Sequence, residues 1–575
     1  MKMYWLRVAL LLLVAATSVC TQTVEEWKTV RIAQGPLRGH FEHEYGVYAF
    51  RDIPYATAPT GNERFKAPRA PPTWITIFDA VDRGIVCPQI GTMLNMREDC
   101  LVTSVYVPAI DATNLPVVVS IHGGAHQTGY GNIETVNTLV RTNRVIAVTF
   151  NYRLGVHGFL CLGTEDAPGN AGSKDQVALL RWVNQNIASF GGNPEDVTLL
   201  GCSAGGGATD VLTLSQLTNG LFNKAIIGSG VSSGAVGVQI NPIENAKTYA
   251  KLLNFEDVDN ITALEEFYKA ASFELLLERF DAIINNEDSA VLFSPCVERD
   301  IGQERVLEDA PVNIINNGNY TKVPLLYGFS NMEGLWRVPM FNTWKDRMNQ
   351  KFSDFLPAEL EFETENEKEE VANIVKQFYF GEQAIGEQNI LSYIDYFTDQ
   401  LFGYPMLRAL SLRINALNDT IYLYEYSFVD ENTPSIPYTD VRGANHCEQN
   451  IAVLDIYDTN ITDAYTNMRN IIQELYLSFI LTGNPVTDGS PASSWPPANV
   501  ARSPHMALGP TIELKGALLQ ERTAFWDGIY EKYYRAPVPP IFEVTTGSAF
   551  SLSISNILVF TNILHTSFFT YLCLS

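Results

Sequence analysis

Several continuous apolar runs break off at glycine or another turn-forming residue, and they constrain the fold more than any other feature of the chain. Val117–Ile121 leads into "HGG", Val145–Phe150 into "NYR", "VTLL" into Gly201, Ala225–Gly228 into "SG", and Val323–Tyr327 into "GFS". Runs without polar alternation suit strands covered on both faces, as in a parallel sheet. Helical patterns lie between them. In "KDQVALLRWVNQNIASFGG" the spacing predicts a helix with Val177, Leu180, Asn184 and Ile187 on one face, and Gly191 is the stop signal. The expectation is an α/β fold: a mostly parallel central sheet with helices on both faces. The acidic, helix-patterned segments Asn241–Arg299 and Met340–Leu417 are expected as helical excursions over the sheet. Ligands of such sheets bind outside the carboxyl ends of the strands.

One run ends in "GCSAGGG", which puts Ser203 between glycines at a strand-to-helix seam. A serine hydroxyl at neutral pH is a weak nucleophile. It needs a base within hydrogen-bond reach, an acid to orient that base, and fixed donors for the oxyanion that forms. His446, in the polar loop "DVRGANHCEQN", is the candidate base. Glu333, in "GFSNMEGLW" just past the Val323–Tyr327 run, is the candidate acid, although "EGL" also reads as a helix start. The turn "SIHGGAH" offers backbone donors at Gly124 and Ala125, joined by the amide of Ala204 after the serine. Each piece alone is weak. Their chain order and their positions beside strand-like runs give the set its weight.

The ends of the chain read differently from its middle. Lys2 and Arg7 precede the apolar stretch Val8–Ala16 and small residues up to Cys20, the layout of a secretory signal peptide over residues 1–20. Residues 21–535 are expected as one α/β domain, "APVPP" opens a linker over 536–547, and 548–575 is an uncharged, largely apolar tail. Small residues before that tail fit a glycolipid-anchor signal, and the alternative is an apolar tail on a secreted protein. The formal net charge of −25 argues against nucleic acid as a partner. Contact with a membrane is expected only through the C-terminal anchor, and the oligomeric state is not legible. Sequons at Asn260, Asn319, Asn418 and Asn460 permit glycosylation in that compartment. Of the eight cysteines, Cys87 and Cys100 are the best local pair for a disulfide, with two buried free thiols as the alternative. Cys161, Cys202, Cys296, Cys447 and Cys573 show no obvious partner.

These residues, with "GVYAFRDIPYATAP", "EDCLVTSVYVP", "NYRLGVHGF", "GNAGSKDQVALLRWVNQNIASFGGNPEDVTLLGCSAGG" and "FILTGNP", closely resemble the type-B carboxylesterase and cholinesterase family, from about Thr29 to Tyr534. The resemblance implies an α/β-hydrolase fold and hydrolysis of carboxylic esters through an acyl-enzyme. It implies Ser203 as nucleophile, His446 as general base and acid, Glu333 as orienter, and Gly124, Ala125 and Ala204 as oxyanion donors. It also implies a Cys87–Cys100 disulfide. Small to medium apolar esters of xenobiotic, hormone or odorant type are the expected substrates. No metal cluster or nucleotide fingerprint is present in the sequence, so no cofactor is expected.

The departures from the family pattern matter. Ala125 replaces a third glycine but keeps the N–H. His126 stands where an aromatic is common; it is expected to be a locally hydrogen-bonded loop residue, with a more polar pocket wall as the alternative. The loop Pro88–Asp99 has no tryptophan, so cation–π recognition of choline there is not expected. Cys202 replaces the glutamate found before the nucleophile in cholinesterases, and Cys447 replaces the glycine usual after the histidine. Two packing cysteines are the expected reading of that pair, and a thiol contact is the other. A binding protein on the same fold is disfavoured, because no triad member is missing.

Overall fold

The computed structural model describes residues 26–541, apart from 93, 134, 280–285, 452, 455–460 and 487–493. The signal segment, the C-terminal tail, Cys20, Cys573 and Asn460 therefore lie outside the described residues. Thirteen strands form one sheet. Its centre is a parallel block in the spatial order Ile146–Phe150, Leu115–Ile121, Gly192–Cys202, Lys224–Gly228, Leu325–Ser330, Ile421–Tyr426 and His505–Leu508. Antiparallel strands extend it on both sides: Val102–Pro108, Val47–Pro54, Gly35–Glu42 and Trp27–Ile32 on one, Ile512–Lys515 on the other. The α/β-hydrolase expectation holds.

The apolar runs are continuous because successive side chains feed opposite cores. Val117, Val119, Leu199, Ala225 and Ile227 pack in one cluster, whereas Val118, Leu200, Ile226 and Leu326 pack in the other. The predicted helix spans Ala171–Asn186, and Gly191 follows it at φ 92°. Its buried stripe runs through Val177, Leu180, Val183 and Ile187; Asn184 faces solvent. The correction has a simple cause: from Leu180, three residues on returns closer to the stripe than four at this point of a 3.6-residue turn.

The two excursions differ. Residues 340–417 are mostly helical and, with the helix Gln520–Tyr533, enclose a separate apolar cluster that includes Trp344, Phe355, Tyr396, Phe402 and Trp526. Residues 241–299 begin with the helices Pro242–Leu252 and Ile261–Ala270, but Tyr249, Leu264 and Tyr268 join the core of the sheet. From 286 to 299 this segment carries no helix and reaches the buried Cys296. The compact unit continues to Pro540, with Pro537 and Pro540 buried, so the first residues read as linker pack against it.

Three disulfides are present among the described residues. Cys87–Cys100 is one; the others, Cys161–Cys296 and Cys202–Cys447, correct the reading of those four cysteines as unpaired. Spacings of 135 and 245 residues gave no local signal. Asn260, Asn319 and Asn418 are exposed, and the Asn260 side chain also caps a helix by accepting from the Ala263 amide at 3.2 Å.

Candidate active site

The strand Gly192–Cys202 runs directly into the helix Ala204–Leu214, and Ser203 is the only residue between them. It sits at φ 59°, ψ −130°, a conformation L-residues rarely adopt, so the hydroxyl stands clear of both elements. The flanking glycines are sterically required. A Cβ at Gly201 would lie 2.2 Å from the Gly205 carbonyl oxygen, and one at Gly205 would lie 2.1 Å from that of Ile121. The Ser203 amide donates to Gly228 O at 3.0 Å, which ties the turn to the neighbouring strand end.

Ser203, His446 and Glu333 come together although they are far apart in the chain. Glu333 begins a short 3-10 helix just after the strand Leu325–Ser330, so "EGL" is a helix start. Its carboxylate is fully buried and accepts from the His446 Nδ1–H. That contact fixes the tautomer: with the proton on Nδ1, Nε2 is an acceptor. Ser203 Oγ lies 2.8 Å from Nε2 and donates to it. The other Glu333 oxygen accepts from the Ser330 amide at 2.7 Å and the Ser229 hydroxyl at 2.6 Å.

Sequence reading missed the groups that hold these three. Gln449, three residues after the histidine, donates to Ser229 Oγ at 2.8 Å and accepts from Ser330 Oγ at 2.8 Å. Phe402 and Trp336 stack on the imidazole, with centroids 4.3 and 5.7 Å away. The Cys202–Cys447 bond joins the residue before the serine to the residue after the histidine. The local signals were present in "GSGVSSG" and "HCEQN", but which strand end each loop meets is decided by the sheet order.

The glycine turn after Leu115–Ile121 lies against the elbow: a Cβ on Gly123 would be 3.2 Å from Ser203 Cβ. Among the described residues, the amides of Gly124, Ala125 and Ala204 donate to no protein acceptor. Neighbouring groups fix the turn. His122 Nδ1–H donates to Gly123 O at 2.9 Å, and Gln127 donates to Ala125 O at 3.2 Å and Phe293 O at 2.6 Å. Burial depresses His122 to about 4, so this brace is a neutral ring at physiological pH. His126 departs from expectation. Its ring is fully buried, packs edge-on to Phe159, and neither nitrogen has a partner among the described residues. The helix Ala204–Leu214 also directs its N-terminal dipole at the serine.

A model of the carboxylesterase family matches residues 26–526. The chain belongs to the carboxylesterase family. This carboxylesterase is 31% identical over 485 residues to a carboxylic ester hydrolase of Bombus ignitus, covering 80% of this chain and 86% of that one. It is 30% identical over 523 residues to venom carboxylesterase-6 of Apis mellifera, covering 86% and 92%. The structure of juvenile hormone esterase from Manduca sexta with OTFP covalently attached matches with a TM-score of 0.78 at 29% identity, covering 88% of this chain and 100% of that one. The three disulfides of the carboxylesterase fit an oxidising, extracellular setting. No helix among the described residues is long and apolar enough to cross a membrane. One acidic trio, Asp166, Glu265 and Glu266, brings carboxylate oxygens within 4.8 Å of one another, but Lys66 and Lys269 pair with Asp166, and Lys269 also with Glu266.

Proposed function

We propose that the enzyme hydrolyses small to medium apolar carboxylic esters through an acyl-enzyme on Ser203. The observation that carries this reading is the single line of contacts from Ser203 Oγ to His446 Nε2 and from His446 Nδ1 to Glu333. As Oγ attacks the ester carbonyl, its proton passes to Nε2, and the imidazolium that forms is held by the Glu333 carboxylate. The amides of Gly124, Ala125 and Ala204 receive the oxyanion. The tetrahedral species collapses with release of the alcohol, which takes the proton back from Nε2. Water then attacks the acyl carbonyl with His446 again as base, and the carboxylic acid leaves.

The aromatic faces of Phe402 and Trp336 beside the base support apolar esters. The likeness to a juvenile hormone esterase supports hormone esters as one substrate type. We place the protein outside the cell, glycosylated at the exposed Asn260, Asn319 and Asn418, with a C-terminal lipid anchor as the alternative to free secretion. Release from cells by a phosphatidylinositol-specific phospholipase tests the anchor.

Hydrolysis of 4-nitrophenyl acetate by purified protein, beside Ser203→Ala, tests the chemistry. A kcat at least roughly 10³-fold lower in the variant is expected. Equal turnover in both would overturn the mechanism.

A further inference from the structure

The Cys202–Cys447 disulfide does not join two strands of the sheet, and with 245 residues between its ends it does not close a local loop. It connects the two loops whose side chains must meet. Cys202 ends the strand before Ser203, and Cys447 follows His446 directly. The segment that delivers the base has no regular secondary structure from Val441 to Cys447 and lies outside the sheet ladder. Cys447 itself sits at φ 60°, a left-handed conformation that glycine adopts freely and a residue with a Cβ rarely does. A position that favours glycine therefore carries a side chain, and that side chain is bonded to the nucleophile elbow. Cys447 Sγ lies 3.8 Å from His446 Nε2, on the reacting side of the ring. Gln449, which fixes Ser229 and through it Glu333, also approaches Cys202 Sγ at 3.7 Å.

We propose that Cys202 and Cys447 are positioning residues for ester hydrolysis, their disulfide acting as a covalent tether that holds His446 on Ser203. The inference rests on the triad reading above and assigns the bond a role in that same site. Hydrogen bonds alone leave a loop histidine free to swing; a bond spanning 245 residues of sequence removes that freedom at the backbone next to the ring. A base displaced by about 1 Å costs on the order of 100-fold in rate. Neither sulfur touches substrate in this role.

The test counts active sites before it compares rates. Wild type, Cys202→Ala, Cys447→Ala and the double variant are titrated with a fluorophosphonate, and kcat and KM for 4-nitrophenyl acetate are expressed per titrated serine. A tether predicts that kcat per site falls roughly 10–100-fold with KM nearly unchanged. It also predicts that each single variant and the double variant lose the same factor, because one bond needs both sulfurs. A purely structural bond would lower the number of titratable sites and leave kcat per site intact, which would overturn the proposal. Losses that multiply between the singles would also overturn it. Cys161→Ala/Cys296→Ala is the control, with kcat per site expected to stay at the wild-type value.

Should the variants fail to fold, the folded wild type decides. Cys447 is the one partly exposed member of the six bonded cysteines, and the other five are buried, so a dithiol reductant reaches this pair first. The reagent is oxidised to its cyclic disulfide while Cys202–Cys447 takes up two electrons and two protons to become two thiols. Alkylation and mass mapping verify which pair opened. Loss of kcat per site that returns on reoxidation supports the tether, and unchanged kcat overturns it. A wild type that neither turns over nor labels would overturn the triad reading itself, and the tether with it.

Discussion

The Phe402 ring lies on the face of the His446 imidazole, 4.3 Å between centroids and 23° from parallel. Phe402 comes from the π-helical turn Asp399–Gly403 inside the helical excursion, so a segment outside the sheet sets one wall of the base. An aromatic face attracts the imidazolium that forms in the transition state more than the neutral ring of the ground state. Phe402→Ala should therefore lower kcat roughly 10-fold, for about 1–1.5 kcal/mol of lost stabilisation. Phe402→Tyr should keep most of the rate. Steady-state kinetics on an aryl acetate read this out, and an unchanged kcat in Phe402→Ala would show that the stacking is only packing.

The buried Glu333 carboxylate depends on a relay that ends at Gln449. Removing its charge with Glu333→Gln should cost roughly 10³–10⁴-fold in kcat, because the neutral amide neither enforces the Nδ1–H tautomer nor balances the imidazolium. Ser229→Ala keeps the charge but leaves one oxygen with the Ser330 amide alone and removes one acceptor of the Gln449 amide. A smaller loss is expected there, about 10-fold, in kcat rather than KM. If Ser229→Ala lost as much as Glu333→Gln, the serine would have to do more than orient the acid.

Much of this arrangement could be read in the chain because it is local. The elbow at Ser203 is written in its glycines, and strand ends are written where apolar runs meet turn residues. The order of Ser203, Glu333 and His446 along the chain matches the order of the strand ends that carry them. What the sequence hid depends on the folded sheet. Cys202 pairs in register with Gly228, and this brings Ser229 from one loop, and Cys447 and Gln449 from another, to the same edge. Phe402 belongs to a segment whose helical pattern gives no hint of which strand end it covers. Asn184 was misplaced for a different reason: near a helix end, one residue of phase moves a side chain from the core to solvent.

Gly169 gives a stability prediction independent of the active site. It lies at φ 104°, and a Cβ there would be 2.7 Å from Cys161 Sγ and 2.8 Å from Cys296 Sγ. Both the backbone conformation and the space exclude alanine. Gly169→Ala should destabilise the fold by about 2–4 kcal/mol, through overpacking and an unfavourable φ. Loss of the disulfide itself, in Cys161→Ala/Cys296→Ala, should cost about 2–5 kcal/mol. Urea unfolding measures both. In the double cysteine variant, Gly169→Ala should cost less, since the sulfurs it strikes are gone; an undiminished cost would assign the effect to the backbone alone.

His126 should make the acid limb of stability steeper. Burial, reinforced by the charge on His122, depresses it to about 3, and its ring nitrogens have no partner among the described residues to offset protonation. The unfolded chain protonates this histidine near 6.5. As pH falls, the unfolded state therefore takes up the proton first. The stabilising contribution is complete above pH 6.5 and is lost progressively between 6.5 and about 3. At pH 5 the loss from this one residue is about 2 kcal/mol. His126→Phe keeps an aromatic ring against Phe159 and removes the titration. The difference in unfolding free energy between pH 7.5 and pH 5 should shrink by about that amount in the variant. His122 and His157 are also buried and depressed, so they keep their share of the slope in both proteins. Urea unfolding at the two pH values decides the matter: equal losses in wild type and variant would mean that the His126 ring meets a proton in the folded state as readily as in the unfolded one.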